Sequence, residues 1–184
     1  MFRTLGLAAF FTMSAFGGAA LASDAESSPL VRALFGKIAA KGKTSACFTR
    51  FYTKEHLASH QQQNVRDMVI LMTAAKDADA GLTFNTRVGV HFRKLGSTFE
   101  TGGGCSLDED GKTINCSPEC DGGSMSVELK DAQTIYLKIP DRARLWRPGT
   151  EDNPENARFG EDDKIFKLTR APGTRQCAAG LPKE

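Results

Sequence analysis

Five cysteines are the most reactive residues of this chain, and their spacing decides between redox chemistry, metal binding and cross-linking. They are Cys47, Cys105, Cys116, Cys120 and Cys177. In an oxidising compartment thiols pair, so at most two bridges form within one chain and one sulfur is left over. Three residues separate Cys116 from Cys120, whereas redox and zinc-ribbon motifs have two. The spacing therefore favours disulfides, and the remaining thiol is interpreted as structural rather than as a nucleophile or metal ligand.

Turn residues surround the three central cysteines, in the stretch from Thr101 to Gly123. Asp110-Gly111 is a strong signal for a two-residue hairpin turn, which would place Cys105 directly opposite Cys116. Counting outward from that turn, this pair falls at a hydrogen-bonded site, where Cα atoms lie about 5.5 Å apart. A three-residue turn would shift the register and make Cys120 the better partner. Cys105 is thus predicted to pair with either Cys116 or Cys120.

The two outer cysteines, Cys47 and Cys177, are predicted to pair with each other. This bridge would tie the first strand to the C-terminal tail. It closes a loop of about 130 residues and is worth about 4–5 kcal/mol in the chain-entropy estimate. A bridge from Cys47 into the central group would contradict the scheme.

Three histidines are candidate metal ligands. His56 and His60 are four residues apart and would share one face of a helix, as zinc ligands do. No Glu follows His56, so the His-Glu-x-x-His pattern is absent, and the third histidine, His91, falls on a predicted strand. A site of His56, His60 and His91 is therefore a hypothesis beside the simpler interpretation of residues 54–63 as a solvated turn.

Basic side chains and the single tryptophan form a third candidate group, for ligand binding. Its members are Arg87, His91, Arg93, Arg142, Arg144 and Trp146. If the two strands that carry them are neighbours, they could bind an anion or an acidic protein, with Trp146 stacking on an arginine. The alternative is an ordinary solvated strand face. No Gly-x-Ser-x-Gly, phosphate-binding glycine loop or Ser/His/Asp set stands out, so no cofactor is predicted.

The first 22 residues have the pattern of a secretory signal peptide. Arg3 is the only charge before Asp24, an apolar run follows it, and Ala20-Leu21-Ala22 is typical of a cleavage site. No later segment has the roughly 20 apolar residues of a membrane-spanning helix. The sequence therefore predicts a periplasmic or secreted protein.

The charge of the chain is nearly balanced, at +2 for the full sequence. Such a balance provides no long-range field to attract nucleic acid or anionic lipid. The class of nucleic-acid-binding proteins is therefore not predicted, and the partner is expected to be a small ligand or a protein. The oligomeric state does not follow from the sequence.

Four segments are predicted from the residue pattern. After residues 1–22, a polar lead and an amphipathic helix occupy residues 23–44, with Ser28-Pro29 as its start and Gly42 as its end. Residues 45–170 form the β domain, in which residues 82–92 alternate strictly between apolar and polar. Residues 142–147 are predicted as a further short strand, and residues 171–184 as a tail held by Cys177.

The predicted fold is all-β, an antiparallel up-and-down β-barrel of about eight strands with a short N-terminal helix. Strands that expose one face must close or double up to protect their edges, so a two-sheet sandwich is the alternative. The barrel is preferred because meander turns outnumber long crossovers.

Three short segments resemble small secreted bacterial proteins of unassigned function, over about residues 47–147. They are Cys47-Phe48-Thr49-Arg50, His56-Leu57-Ala58-Ser59-His60-Gln61 and Cys120-Asp121-Gly122-Gly123. The resemblance implies an exported β domain and brings no activity. The architecture is also similar to that of lipocalins and periplasmic lysozyme inhibitors, which is an analogy of fold alone.

The predicted function is that of an exported non-enzymatic binding protein, which holds a small ligand in a barrel mouth or a partner protein through its loops. One alternative is a metal-binding or Cys/His-dependent enzyme. The other is a structural or interaction protein of the cell envelope.

Overall fold

Eight antiparallel strands form a closed barrel in the computed structural model, which describes residues 25–118, 121–148, 150 and 157–181. The strands are β1 (Lys43–Phe51), β2 (Val65–Asp77), β3 (Gly81–Phe92), β4 (Thr98–Leu107), β5 (Thr113–Ser117), β6 (Met125–Asp131), β7 (Thr134–Lys138) and β8 (Ile165–Arg170). Each strand pairs with the next, and β8 closes on β1 through Phe48 and Thr49. The predicted barrel is confirmed. The predicted signal peptide and Cys120 lie outside the described residues.

Within the described residues, three short helices accompany the barrel: α1 (Pro29–Phe35), α2 (Lys54–Ser59) and α3 (Arg175–Gly180). Ser28 caps α1 as predicted, since its hydroxyl accepts from the N–H of Val31. The predicted end at Gly42 is wrong, because the chain leaves the helix at Gly36, where φ is +64°. Helix α3 lies in the segment predicted as a tail. None of the helices within the described ranges is long and apolar enough to cross a membrane.

Apolar side chains from alternate positions of every strand fill the barrel as one hydrophobic cluster. The largest fully buried ones include Phe48, Met68, Ile70, Met72, Phe99, Ile114, Met125, Ile135, Leu137 and Phe166. In β2 this alternation explains the run of apolar residues: Met68, Ile70 and Met72 join the main cluster, whereas Val69 belongs to a second one beneath α3. The interior of the barrel is therefore lined mainly by apolar side chains.

One end of the barrel, where β1 begins and β8 ends, is covered by α1. The helix places its apolar face in the main cluster, and the ring of Phe35 stacks on Phe84 at 5.9 Å. The guanidinium of Arg170 donates to the carbonyl oxygens of Ala33 and Leu34, at 2.7 and 3.2 Å. Burial lowers the pKa of Arg170.

The opposite end is covered by residues 157–163. Phe159 makes edge contacts with Phe92 and Phe166, each at 6.0 Å between ring centres. Asp163 is fully buried, and its Oδ2 accepts from the backbone N–H groups of Asn64, Val65 and Gly160. Both ends of the barrel are thus covered by other segments of the chain.

The outer surface of β1, β2 and β3 is covered by α3. Cys177 bonds to Cys47 at an S–S distance of 2.07 Å, and Val69, Ala171 and Leu181 complete the small apolar cluster around the pair. A Cβ atom at Gly89 would overlap the carbonyl oxygen of Gly180. The helix therefore lies directly on the strand backbone, and the bridge holds it there.

The central hairpin brings Cys105 opposite Cys116, with an S–S distance of 2.11 Å. The predicted hydrogen-bonded class of this site is wrong. Asp108 donates its N–H to the Thr113 carbonyl, so the turn has four residues instead of two. A four-residue turn keeps the same residues facing each other, but pairs that would be hydrogen-bonded become non-hydrogen-bonded and the reverse. The Cα–Cα distance of 4.1 Å between Cys105 and Cys116 fits a non-hydrogen-bonded pair.

Residues 142–147 are not a strand of the barrel, contrary to the prediction. They form two isolated bridges, from Ala143 to Gly123 and from Trp146 to Glu100. Because β5 is only half as long as β4, one edge of β4 near Glu100 lacks a neighbour there, and this segment supplies it. Ala143 and Leu145 point into the core.

Candidate functional site

A cleft of about 550 Å³ lies on the outer surface of the barrel, between β3–β4 and the segment that contains Trp146. We call it the β3–β4 cleft. Its lining residues are Asn85, Thr86, Arg87, Glu100, Gly102, Gly103, Pro118, Arg144, Trp146 and Thr150. Three predicted binding residues, Arg87, Arg144 and Trp146, therefore line one cavity.

Arg87 does not present a free charge to the cleft. Its Nε lies 2.6 Å from Glu100 Oε1, and a terminal nitrogen lies 3.2 Å from Oε2. Such a two-point contact fixes the planar guanidinium against the carboxylate. Glu100 is only 5% exposed, so this ion pair forms a rigid part of the wall.

The glycines of β4 explain why a cleft exists on a sheet surface. Gly102 faces Arg87 and Gly103 faces Thr86 across the β3–β4 ladder. A Cβ at Gly102 would overlap the backbone carbonyl of Thr86, and one at Gly103 would overlap that of Ser117. Side chains are therefore excluded at both positions, and the strand backbone stays bare beneath the cleft.

Trp146 and Arg144 contribute the remaining wall. Both backbone hydrogen bonds between Trp146 and Glu100, at 2.8 and 2.9 Å, hold this wall against β4. The side chain of Arg144 makes no hydrogen bond or ion pair with any described residue. The predicted stacking of Trp146 on an arginine is not found among the described side chains. The arginines that lie over aromatic rings are Arg50, over Tyr52, and Arg170, over Phe48.

The other predicted binding residues lie elsewhere. Arg142 donates to the Asp121 carbonyl and lines an adjacent cavity of about 470 Å³, which Arg144 also borders. Arg93 lines a third cavity, of about 350 Å³, and donates to the carbonyls of His60 and Gln63.

His91 belongs to a row of three polar side chains across β2, β3 and β4. Its Nδ1 lies 2.5 Å from Asp67 Oδ1, and its Nε2 lies 2.7 Å from Thr98 Oγ1. Register explains the row, because Asp67 faces His91 and His91 faces Thr98. Thr98 also lines a pocket of about 410 Å³, called the Thr98 pocket, with Ser97, Arg147, Pro148, Ala179, Gly180 and Leu181.

The predicted metal ligands do not converge. His56 and His60 stack face to face with ring centres 4.0 Å apart, and His56 Nε2 is 3.0 Å from Gln63 Oε1. His60 Nδ1 lies 2.9 Å from the His56 carbonyl oxygen and 3.0 Å from Ser59 Oγ, so the ring nitrogens of the two histidines contact different groups. Across the described ranges, no group of three or more His, Cys, Asp or Glu side chains could hold a metal.

Comparison with protein-family models, curated proteins and solved structures finds no match. The resemblance to small secreted bacterial proteins therefore stays a prediction.

Asp67, Thr98 and Glu100 are the site residues that sequence reasoning missed. Each is an ordinary polar residue in a strand, without a motif around it. The strand register indicates the positions of two of them. Counting outward from the Asp77–Gly81 turn places Asp67 beside His91. Thr98 follows from the β3–β4 register in the same way.

Proposed function

We propose that this protein is an exported binding protein, and that the β3–β4 cleft holds, without reacting with it, a small planar ligand with one negative charge. The observation that carries the proposal is the pairing of an indole wall, Trp146, with the guanidinium of Arg144, which has no partner among the described residues. The volume of the cleft, about 550 Å³, is within the range of small-molecule sites, about 300–1,000 Å³.

The charges of the cleft select the ligand. Among the described lining residues, Glu100 pairs with Arg87, and Arg144 supplies the other positive charge. One carboxylate on the ligand would satisfy it through a charge-assisted hydrogen bond. A flat ring would lie on the bare backbone at Gly102 and Gly103 and against Trp146, where indole surfaces favour aromatic contacts.

The compartment is proposed from the cysteines. Two pairs lie at disulfide distance, which is compatible with an oxidising extracellular environment. Together with the predicted signal peptide, this supports a periplasmic or secreted location.

Trp146 is the single tryptophan, so its fluorescence reports directly on the cleft. Benzoate and phenylacetate are expected to change this fluorescence saturably, and neutral benzamide to bind at least about tenfold more weakly, since a charged hydrogen bond is worth about 1.5–3 kcal/mol. Arg144→Ala should reduce the affinity for benzoate by a similar factor. Arg142→Ala is the matched control, because Arg142 is on the same segment but lines the adjacent cavity.

Equal affinity for benzoate and benzamide would contradict the charge assignment. Unchanged benzoate affinity in Arg144→Ala would contradict the site itself. A search for protein partners by cross-linking through the cleft would then test the second form of the binding proposal, in which loops engage a protein.

A further inference from the structure

We propose that Asp67, His91 and Thr98 form a hydrolytic site for esters of short carboxylic acids, with Thr98 Oγ1 as nucleophile. This activity lies beyond the proposed ligand binding, because it uses another row of side chains and another cavity. The three side chains lie side by side on the outer face of β2, β3 and β4. A nucleophile, a base and an orienting carboxylate in hydrogen-bond contact are the minimal set for acyl transfer.

The hydrogen bonds fix which atom of His91 carries a proton. An ionised carboxylate only accepts, so the 2.5 Å contact with Asp67 places the hydrogen of a neutral imidazole on Nδ1. Nε2 is then an acceptor, and the hydroxyl of Thr98 donates to it across 2.7 Å. This tautomer is the one in which His91 can remove the Thr98 proton.

Asp67 is a positioning residue in this arrangement. Its second oxygen, Oδ2, accepts from Arg66 Nε at 2.7 Å, so both carboxylate oxygens are engaged. Its side chain is 13% exposed, whereas that of His91 is 26% exposed. The carboxylate therefore holds the Nδ1 side of the ring, and the Nε2 side faces the nucleophile.

The Thr98 pocket gives the nucleophile a place to meet an acyl group. Pro148, Ala179 and Leu181 provide apolar surface, and the pocket volume of about 410 Å³ suits a short chain. The walls from α3 are held by the Cys47–Cys177 bridge. The bridge thus fixes part of the site as well as the tail.

The backbone of Thr98 supplies a donor for the developing oxyanion. Glu100 makes both of its backbone hydrogen bonds to Trp146, so strand alternation directs the N–H of Thr98 to the same side, away from β3. No described group accepts a hydrogen bond from this N–H. It is therefore available to a carbonyl oxygen near Oγ1.

The reaction needs no redox partner. Thr98 Oγ1 attacks the ester carbonyl carbon while its proton moves to His91 Nε2. The bond from that carbon to the alkoxy oxygen breaks, and the alcohol leaves with the proton. Water then attacks the acyl-threonine ester, its proton passes through His91 back to Thr98 Oγ1, and the carboxylic acid is released.

The test uses p-nitrophenyl acetate with the full protein. We expect turnover above that of buffer and, after quenching, one acetyl group on Thr98 by peptide mass spectrometry. Thr98→Ala and His91→Gln should lower the rate about 100-fold or more, as loss of a general base does. Thr98→Ser should restore the rate. Thr83→Ala is the control: it removes a hydroxyl from β3, away from the proposed site, and should leave the rate unchanged.

Asp67→Asn separates positioning from folding. The acetylation rate should fall while thermal stability is kept, and nitrogen NMR of the His91 ring should show loss of the Nδ1–H tautomer. Circular dichroism monitors folding of every variant. Equal rates in wild type and Thr98→Ala, or acetylation only at other residues, would overturn the proposal.

Discussion

The two ends of the barrel are closed by different chemistry. At the end where β1 begins, α1 inserts an apolar face, and the polar contacts of Ser28 and Arg170 lie around it. At the opposite end, the buried carboxylate of Asp163 gathers three backbone N–H groups beneath an aromatic cluster. The first end is stabilised by apolar surface removed from water. The second is stabilised by one carboxylate that accepts hydrogen bonds from three backbone N–H groups.

A packed helix and the segment around Asp163 cover the two ends, and the binding chemistry proposed for this protein is placed on the outer surface of the barrel. The β3–β4 cleft and the row from Asp67 to Thr98 are both on that outer surface. The segment of Trp146 and the helix α3 line the cavities on that surface.

Phe35→Ala is expected to have the largest effect on this comparison. Phe35 is 7% exposed and stacks on Phe84, so its truncation leaves a cavity beneath α1. The free energy of unfolding should fall by about 3–5 kcal/mol in urea denaturation. Phe51→Ala is the control, since Phe51 is 65% exposed and its removal should change stability by no more than about 0.5 kcal/mol. Equal losses would show that α1 does not seal the end.

Asp163→Ala should destabilise the opposite end by about 2–3 kcal/mol, because it leaves the N–H groups of Asn64, Val65 and Gly160 buried without an acceptor. Asp163→Asn should cost about 1 kcal/mol or less, since its amide oxygen can take the place of Oδ2 without a buried charge. Urea denaturation at neutral pH measures both. Similar losses for the two variants would mean that the charge, and not the acceptor, closes this end.

The pH dependence of Asp163 distinguishes the ends further. Burial raises the pKa of its carboxyl group, although the three N–H donors act in the opposite direction. A raised pKa in the folded state means that the folded protein holds the proton more tightly than the unfolded chain. The contribution of Asp163 to stability should therefore be greatest below about pH 4 and decline as pH rises through the raised value. Asp163→Asn should lack this decline, whereas Phe35→Ala should keep it.

The sequence predicts elements whose signal is local. The alternation of residues 82–92 predicts β3, and Ser28-Pro29 predicts the start of α1. The sequence left the partner of Cys105 open between Cys116 and Cys120, because a three-residue turn would shift the register. The four-residue turn that forms keeps the register of a two-residue turn, in which Cys105 faces Cys116. The turn length itself did not follow, since both turns use the same Asp-Gly pair.

Features set by distant contacts could not be predicted in this way. Residues 142–147 alternate between apolar and polar like a strand, but they form only isolated bridges. They do so at the edge of β4 that β5 is too short to pair with. Helix α3 forms where Cys47, Val69 and Gly89 provide a surface for it. The row through His91 required two registers at once, so neither strand alone indicates it.

Ser28→Ala should have the smallest effect and tests how α1 is held at its start. The Ser28 hydroxyl accepts from Val31 N–H at 3.4 Å and donates to the Gly111 carbonyl at 2.8 Å, so it joins the helix cap to the β4–β5 turn. Loss of a cap costs about 1 kcal/mol, which is well below the loss expected for Phe35→Ala. Ser28→Thr keeps both bonds and should recover most of that stability. Hydrogen exchange of the Val31 amide should accelerate in Ser28→Ala alone; if the Asn64 amide at the opposite end accelerated equally, the two ends would not be independent seals.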